Sequence, residues 1–412
     1  MGSIGRYVLE ELTNTIGEGN YHIPLYLDSP IQIGAAMYDQ FERERKLISA
    51  FYDILVSIAR TALDNGDETV NNILFSEPVV GMTQDFHRRL PDVCWKKPVF
   101  LRTDQSISGK IYELQAPGSG WGDITLIAKA LKRNGCEIPD SALNFTDTYS
   151  QNIIEVTQKE QPRVFHMLDA ASEPPGLRYL FSQTRPKLLY WGIDKDVYMH
   201  KVDYVTAHSA AALVTSNYFS IYMDMAKAGE VVFGISPNLL FDQKAMYVLP
   251  FYRGTCNLFS DEIRTIFPFT SFIENGGFYD ETGNFVSVDD LARREKRKRR
   301  YFLKYGGTDL TRNWGSREVY RLDTFGQDEC RAKLQEVSQL SQRGEIWLIQ
   351  EDASRNVTSM PNDLQSITSN KNKKHVKLSV FYGSNAALGV KVMARKHFKV
   401  HGQKDTYVGI GV

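Results

Sequence analysis

The stretch Val99–Asp123, VFLRTDQSISGKIYELQAPGSGWGD, constrains the fold more than any other part of the chain. A two-residue turn at Ser108-Gly109 predicts a hairpin of residues 99–107 with 110–116. In that register Asp104 lies opposite Glu113 and Arg102 opposite Gln115. Residues two apart on a strand share a face, so all four side chains point the same way. A cation, two acids and an amide crowded on one side of a ribbon suit a polyanion with its metal ions above them. The plain alternative is a solvent-facing hairpin with ordinary cross-strand charge pairs. A turn with an odd number of residues would put Asp104 and Glu113 on opposite faces.

At 412 residues the chain is too long for one core, and two or three subdomains are expected. Lysine plus arginine equals aspartate plus glutamate, 49 each, so no global field favours nucleic acid or an acidic membrane, and neither is an expected partner. The opening MGSIGRYVLEELTN lacks a basic segment followed by an apolar core, and Arg6 stands where a myristoylation motif wants Ser or Thr. No apolar run is long enough to cross a bilayer, and a cytoplasmic protein is the expectation. Cys94, Cys136, Cys256 and Cys330 are scattered singly, without zinc spacing, and read as reduced core thiols.

The helical period is clearest at 35–65, where Phe41, Ile48, Phe51, Leu55 and Ile58 share a stripe and Glu42, Arg43, Glu44 and Arg45 form an expected solvated face. The middle alternates apolar strands (163–169, 186–191, 202–206) with helical stretches (209–214, 218–227). That is the pattern of an α/β layer, whose ligands gather beyond the carboxyl ends of its strands. Asp169, Ser172 and Glu173 follow such a strand, as ligand residues or as helix caps. His166 and His208 beside apolar runs read as core or surface histidines. The divisions expected are 1–145, 146–250 and 251–412.

Leu291–Arg300, LARREKRKRR, reads as a solvated helix face, a nucleic-acid or nuclear-localisation patch, or a cationic rim beside bound phosphate. Tyr301–Lys304 is a short strand ending in lysine, and a mobile loop rich in Gly, Thr and Asn runs on through Ser316. Such a lysine supplies point charge to a triphosphate while the loop supplies backbone N–H donors. No Gly-Lys-Ser/Thr opens a helix, so this is not a Walker A loop. Residues 345–351 read as a buried strand, 353–374 as an exposed polar loop, and the rest as two or three further strands. Gly118–Gly122 before a helix allows close approach of an anion, as an ordinary glycine-rich loop would also look.

Together, Arg102-x-Asp104 with Glu113-x-Gln115, the Lys304 strand with its loop, and the Trp347–Glu351 strand resemble an ATP-grasp ligase. Their order is similar to the circularly permuted members, glutathionylspermidine synthase and eukaryotic-type glutathione synthetase. The resemblance covers 99–123 and roughly 255–412. It implies an α/β and α+β architecture: antiparallel sheets flanked by helices gripping ATP, an α/β substrate subdomain and an N-terminal helical segment. It further implies Asp104, Glu113 and Gln115 as ligands of two Mg²⁺ ions, with Gln115 standing where the family has Asn. Arg102 would contact phosphate, and Lys304, Gly306, Gly307, Thr308 and Ser316 would surround it, with Gln350 and Glu351 as the adenine-side hinge. Arg264 matches an earlier phosphate-binding cation, and Arg395 a late arginine that holds a substrate carboxylate.

The implied reaction is ATP-dependent ligation of a carboxylate to an amine through an acyl phosphate. It needs positioning and charge neutralisation rather than a protein nucleophile. The expected partners are a small-molecule acid and amine, an amino acid or peptide among them. The oligomeric state is open, a homodimer included. A non-catalytic ATP-binding regulatory module and a small-molecule kinase on the same fold remain open alternatives.

Overall fold

A computed structural model describes residues 2–18, 21, 24–75, 82–115, 121–169, 175–183, 187–191, 202–207, 209–241, 243–307, 309, 312, 317–353, 375–383, 385–395 and 406–412. Their strands are β1 (Leu25–Tyr26), β2 (Leu101–Gln105), β3 (Ile111–Gln115), β4 (Arg163–Asp169), β5 (Lys187–Trp191), β6 (Tyr204–Thr206), β7 (Val232–Phe233) and β8 (Thr270–Phe272). They continue with β9 (Gly277–Tyr279), β10 (Phe285–Ser287), β11 (Tyr301–Tyr305), β12 (Val319–Arg321), β13 (Trp347–Glu351), β14 (His375–Tyr382), β15 (Ala387–Arg395) and β16 (Tyr407–Gly411). The chain is a mixed α/β protein. One sheet runs β1-β16-β15-β14-β2-β3, a second β12-β11-β13-β8, a parallel third β5-β4-β6-β7, and β9 with β10 makes a ribbon. No helix among the described residues is long and apolar enough to cross a membrane.

The hairpin β2–β3 has the facing pairs its composition predicts: Arg102 with Gln115, Thr103 with Leu114, Asp104 with Glu113. Its turn differs from the two-residue expectation. Ser106 N–H donates to the Lys110 carbonyl (2.9 Å) and Gly109 N–H to the Ser106 carbonyl (3.1 Å), so the loop is Ile107, Ser108 and Gly109. Gly109 takes φ 81°, which only glycine adopts without strain. A three-residue loop alone would set Glu113 against Thr103 and turn it to the other face. The register shifts again between Asp104 and Gln105, where Tyr112 is an extra residue on β3. This bulge cancels the offset of the loop.

Nor is the hairpin a free ribbon facing solvent. β2 pairs on its other side with β14, Asp104 opposite Ser379 and Arg102 opposite Phe381, and all five β2 residues are buried. Strands from near both ends of the chain thus share one sheet. β3 lies at the edge, where Tyr247 O–H accepts from Leu114 N–H and closes part of that edge.

Alternation sorts the sheet's two faces. Leu101, Leu114, Leu378, Val380 and Val392 pack on Phe41, Ile48, Phe51 and Leu55 of the Ala35–Asn65 helix. On the other face Phe381, Met393, Val408 and Ile410 pack on Trp121, Ile124 and Ile127 of the Trp121–Arg133 helix, in a cluster that includes Ile4, Val8 and Leu12 of Ser3–Ile16. Each such fully buried side chain contributes roughly 1.5–3 kcal/mol. Arg102, Asp104, Lys377, Ser379 and Lys391 share this second face.

The solvated face expected of the long helix does not include Glu44, which is 2% exposed. It stands three residues after Phe41 and four before Ile48, so helical geometry places it on the apolar stripe. It accepts hydrogen bonds from Gln40 (2.7 Å), Gln105 (3.1 Å) and Tyr382 (3.3 Å). Of the four unbridged cysteines, Cys94 and Cys330 are buried as expected, whereas Cys136 and Cys256 are partly exposed.

In the second sheet Leu303, Tyr305, Trp347 and Ile349 pack on Cys330, Leu334 and Val337 of the Gln327–Gln342 helix. The alternate residues Phe302, Lys304, Leu348 and Gln350 therefore occupy the opposite face, where Leu348 joins the core under the first sheet. Within the basic run Arg293, Lys296, Arg297, Lys298 and Arg300 are exposed and Arg294 is half-buried, whereas Arg299 is buried and donates to the carbonyls of Phe325 (2.8 Å) and Gly326 (3.2 Å).

Candidate functional site

Asp104 is the hub of the second face of the first sheet. Its Oδ2 accepts from Lys377 Nζ at 2.6 Å, its Oδ1 accepts from Ser379 Oγ at 2.7 Å, and Arg102 Nε lies 3.3 Å from Oδ1. Arg102 and Asp104 are each 2% exposed. Arg102 also donates to Gln115 Oε1, so the hairpin register joins all three. Glu113 stands opposite Asp104 and faces Lys244 Nζ at 3.6 Å. Lys244 comes from the 3-10 turn Lys244–Val248, whose Tyr247 also holds the edge of β3.

Lys304 reaches the same place from the second sheet. Its ammonium lies 5.8 Å from the centre of the Tyr112 ring and donates to Gln350 Oε1. Gln350 is 1% exposed and is itself anchored through Nε2 to Thr270 Oγ1 at 3.1 Å. Burial pushes the Lys304 ammonium down to about 8, opposed by Glu113 and reinforced by Lys244 and Lys377. Burial likewise lowers Lys377, against the pull of Asp104. Tyr112 is half-buried, and desolvation holds its hydroxyl well above its ordinary range. In the same row of the sheet as Gln350, Arg321 pairs with Asp323 (2.7 Å) and Asp352 (3.2 Å).

Four cations, Arg102, Lys244, Lys304 and Lys377, thus stand around Asp104 and Glu113, with Asp352 also within electrostatic reach of Lys304, which leaves an excess of positive charge. Among partly buried groups such an excess attracts a polyanion more strongly than it would in water. Among the described residues no group of three or more His, Cys, Asp or Glu is arranged to hold a metal. Two facing carboxylates still fit Mg²⁺, which takes one or two protein carboxylates and completes its octahedron with phosphate and water oxygens.

The structure brings together Arg102, Asp104, Glu113, Gln115, Lys304 and Gln350. Glu351 sits opposite Tyr301 at the end of β13, its N–H donating to the Phe269 carbonyl at 2.8 Å. Arg395 is opposite His375, one row beyond Lys377 on the same face. Gly306 follows the lysine strand and donates its N–H to the Ile346 carbonyl (2.8 Å), and Gly307 is buried beside it. Arg264 does not join the cluster: its guanidinium donates to the Cys256 carbonyl and to Asp261 in its own helix. Thr308 and Ser316 lie outside the described residues, as do Gly118, Ser172, Glu173, His208, most of 353–374 and the side chains of His166 and Asp169.

Sequence reasoning missed Lys377, Ser379, Lys391 and Lys244. The first two were readable, because in HVKLSVFY the polar residues 377 and 379 alternate with apolar 378 and 380. Lys391 is similarly enclosed by Val390 and Val392; it is 5% exposed and its Nζ lies 2.9 Å from Asp123 Oδ2. Nothing around Lys244 distinguishes it in the sequence. Comparison with protein-family models and with curated proteins finds no match to this chain.

Proposed function

We propose that this chain is a cytoplasmic ATP-dependent carboxylate–amine ligase of ATP-grasp architecture, acting through an acyl phosphate on an amino acid or small peptide. The observation that carries this reading is the convergence of Arg102, Asp104 and Glu113 from one sheet with Lys304 from another. Segments so far apart in sequence share a cleft with surplus positive charge and two hard oxygen donors.

When bound, Mg²⁺ supplies divalent charge to the transferring phosphates, held by Asp104 and Glu113 with Gln115 beside them. Arg102, Lys304 and Lys244 neutralise the phosphate oxygens, and Gln350 aims the Lys304 ammonium. In this reading the glycines and hydroxyls of the loop after Lys304, Thr308 and Ser316 among them, are assigned to the same oxygens. Glu351 borders the adenine. Arg395 orients the acid substrate. A carboxylate oxygen of that acid attacks the γ-phosphorus as the bond to ADP breaks. The amine then attacks the acyl carbon and inorganic phosphate leaves.

The test is incubation with Mg-ATP and pooled amino acids and amines, following ADP and new amide masses. ADP formation that requires both pools supports the ligase. A phosphorylated acid that persists after amine is added would make the protein a kinase, and nucleotide binding without turnover would make it a regulatory module.

A further inference from the structure

Asp104 would be expected to present open oxygens if its task were simply to await a metal ion. Instead both are engaged: Oδ1 by Ser379 Oγ at 2.7 Å, with Arg102 Nε 3.3 Å away, and Oδ2 by Lys377 Nζ at 2.6 Å and more loosely by Arg102 Nη2 at 3.4 Å. Glu113 is held much more loosely, by Lys244 at 3.6 Å. A divalent cation ligated by a carboxylate oxygen needs the space that the Lys377 ammonium fills, since both approach the same lone pairs at short range.

We propose that Lys377 is an internal counter-cation that stands in for the metal on Asp104. It must leave Asp104 when a divalent ion enters, and it then passes to the phosphates of the incoming ligand. This rests on the reading of the cleft as a metal–polyphosphate site. The two neighbours of Asp104 differ in their freedom to move. Arg102 is fixed by Gln115 as well as Asp104, and its side chain is 2% exposed, whereas 16% of the Lys377 side chain reaches solvent. Lys377 is also the third residue of β14, so its ammonium can swing without disturbing the pairing of Ser379 with Asp104.

The arrangement has a chemical consequence. Asp104 never stands as an unpaired buried carboxylate, which would cost far more than a paired one. A free divalent ion must compete with Lys377, whereas an ion arriving with a polyphosphate brings the anion that takes Lys377 in exchange. Metal and polyphosphate should therefore bind with positive cooperativity, each relieving a cost that opposes the other.

The experiment measures Mn²⁺ binding by the loss of its free-ion electron paramagnetic resonance signal, with and without a non-hydrolysable ATP analogue. It uses the full-length protein, Lys377→Met, Lys377→Gln and Asp104→Asn. The expected result is weak Mn²⁺ binding by the unaltered protein alone and at least tenfold tighter binding by Lys377→Met and Lys377→Gln. The boost from the nucleotide analogue should shrink in both, and Asp104→Asn should lose metal binding altogether. Lys377→Gln keeps a neutral donor for Asp104, so it reports even where Lys377→Met fails to fold. Unchanged Mn²⁺ affinity in the Lys377 variants would overturn the proposal. The Mn²⁺-only comparison decides this without nucleotide, so absence of any nucleotide binding would count separately, against the ligase reading.

Discussion

Lys304 donates its ammonium to Gln350, and Gln350 is locked in turn by Thr270, so a buried amide fixes the direction of a cation from the neighbouring strand. This gives Gln350 a role beyond a base-side hinge. Gln350→Met should weaken ATP binding about tenfold, the order of one lost charge-assisted hydrogen bond. The ratio of ATP to GTP affinity should stay constant, because the base is not what the amide positions. Titration calorimetry with both nucleotides checks this, and a changed base preference would restore the hinge role.

The same ammonium supplies a pH dependence. Its folded-state value of about 8 lies below the ordinary lysine value of 10.5, so the fold opposes its charge. That stability cost is present in full below pH 8 and fades as pH rises toward the ordinary value. Bound phosphate favours the charged form, so ATP affinity should fall as pH rises through about 8, approaching tenfold per pH unit. The dependence should flatten in Lys304→Met, and fluorescence titrations from pH 6 to 10 would read it.

Asp104→Asn and Glu113→Gln should each abolish Mg-ATP-dependent turnover while leaving the fold intact. Both replacements keep the shape and one acceptor oxygen but remove the hard anionic donor. Circular dichroism and the ADP assay, run together, separate loss of the site from loss of the fold. Near-normal turnover in both variants would remove these residues from the metal site.

Glu44 tests the other face of the sheet. Burial holds its carboxyl above the ordinary range, against the hydrogen bonds from Gln40, Gln105 and Tyr382. A raised value means the fold opposes ionisation, a cost absent in acid and complete once pH exceeds the folded value. Glu44→Gln should therefore raise the thermal midpoint at pH 7, with the gain vanishing toward about pH 4, near the ordinary carboxylate value. Equal gains at both pH values would mean that ionisation of Glu44 is not what strains this face.

Much of the cleft was legible because a strand's period of two speaks through charged residues where apolar ones are expected. Arg102, Asp104 and Glu113 announced a shared face, and Lys304 stood at the end of a strand. What could not be read was the cancellation of two offsets. A three-residue loop and the Tyr112 bulge each reverse the facing of β3, and only together do they return Glu113 to Asp104. The partners of Asp104 on β14 were hidden for another reason, since pairing between strands more than 270 residues apart leaves no local signature. Arg264 matches the family's earlier cation only by position in the chain, whereas Lys244 reaches Glu113 because its turn caps the edge of β3.

The central claim is that a carboxylate oxygen attacks phosphorus at this cleft before an amine takes the acyl group. It is tested most directly with amino acids and small peptides carrying ¹⁸O in their carboxylates, supplied with Mg-ATP and pooled amines. Mass analysis of the inorganic phosphate reads the outcome. The account predicts one ¹⁸O per phosphate released, dependent on both acid and amine and lost in Asp104→Asn. Phosphate free of label, released at the same rate without the acids, would contradict it.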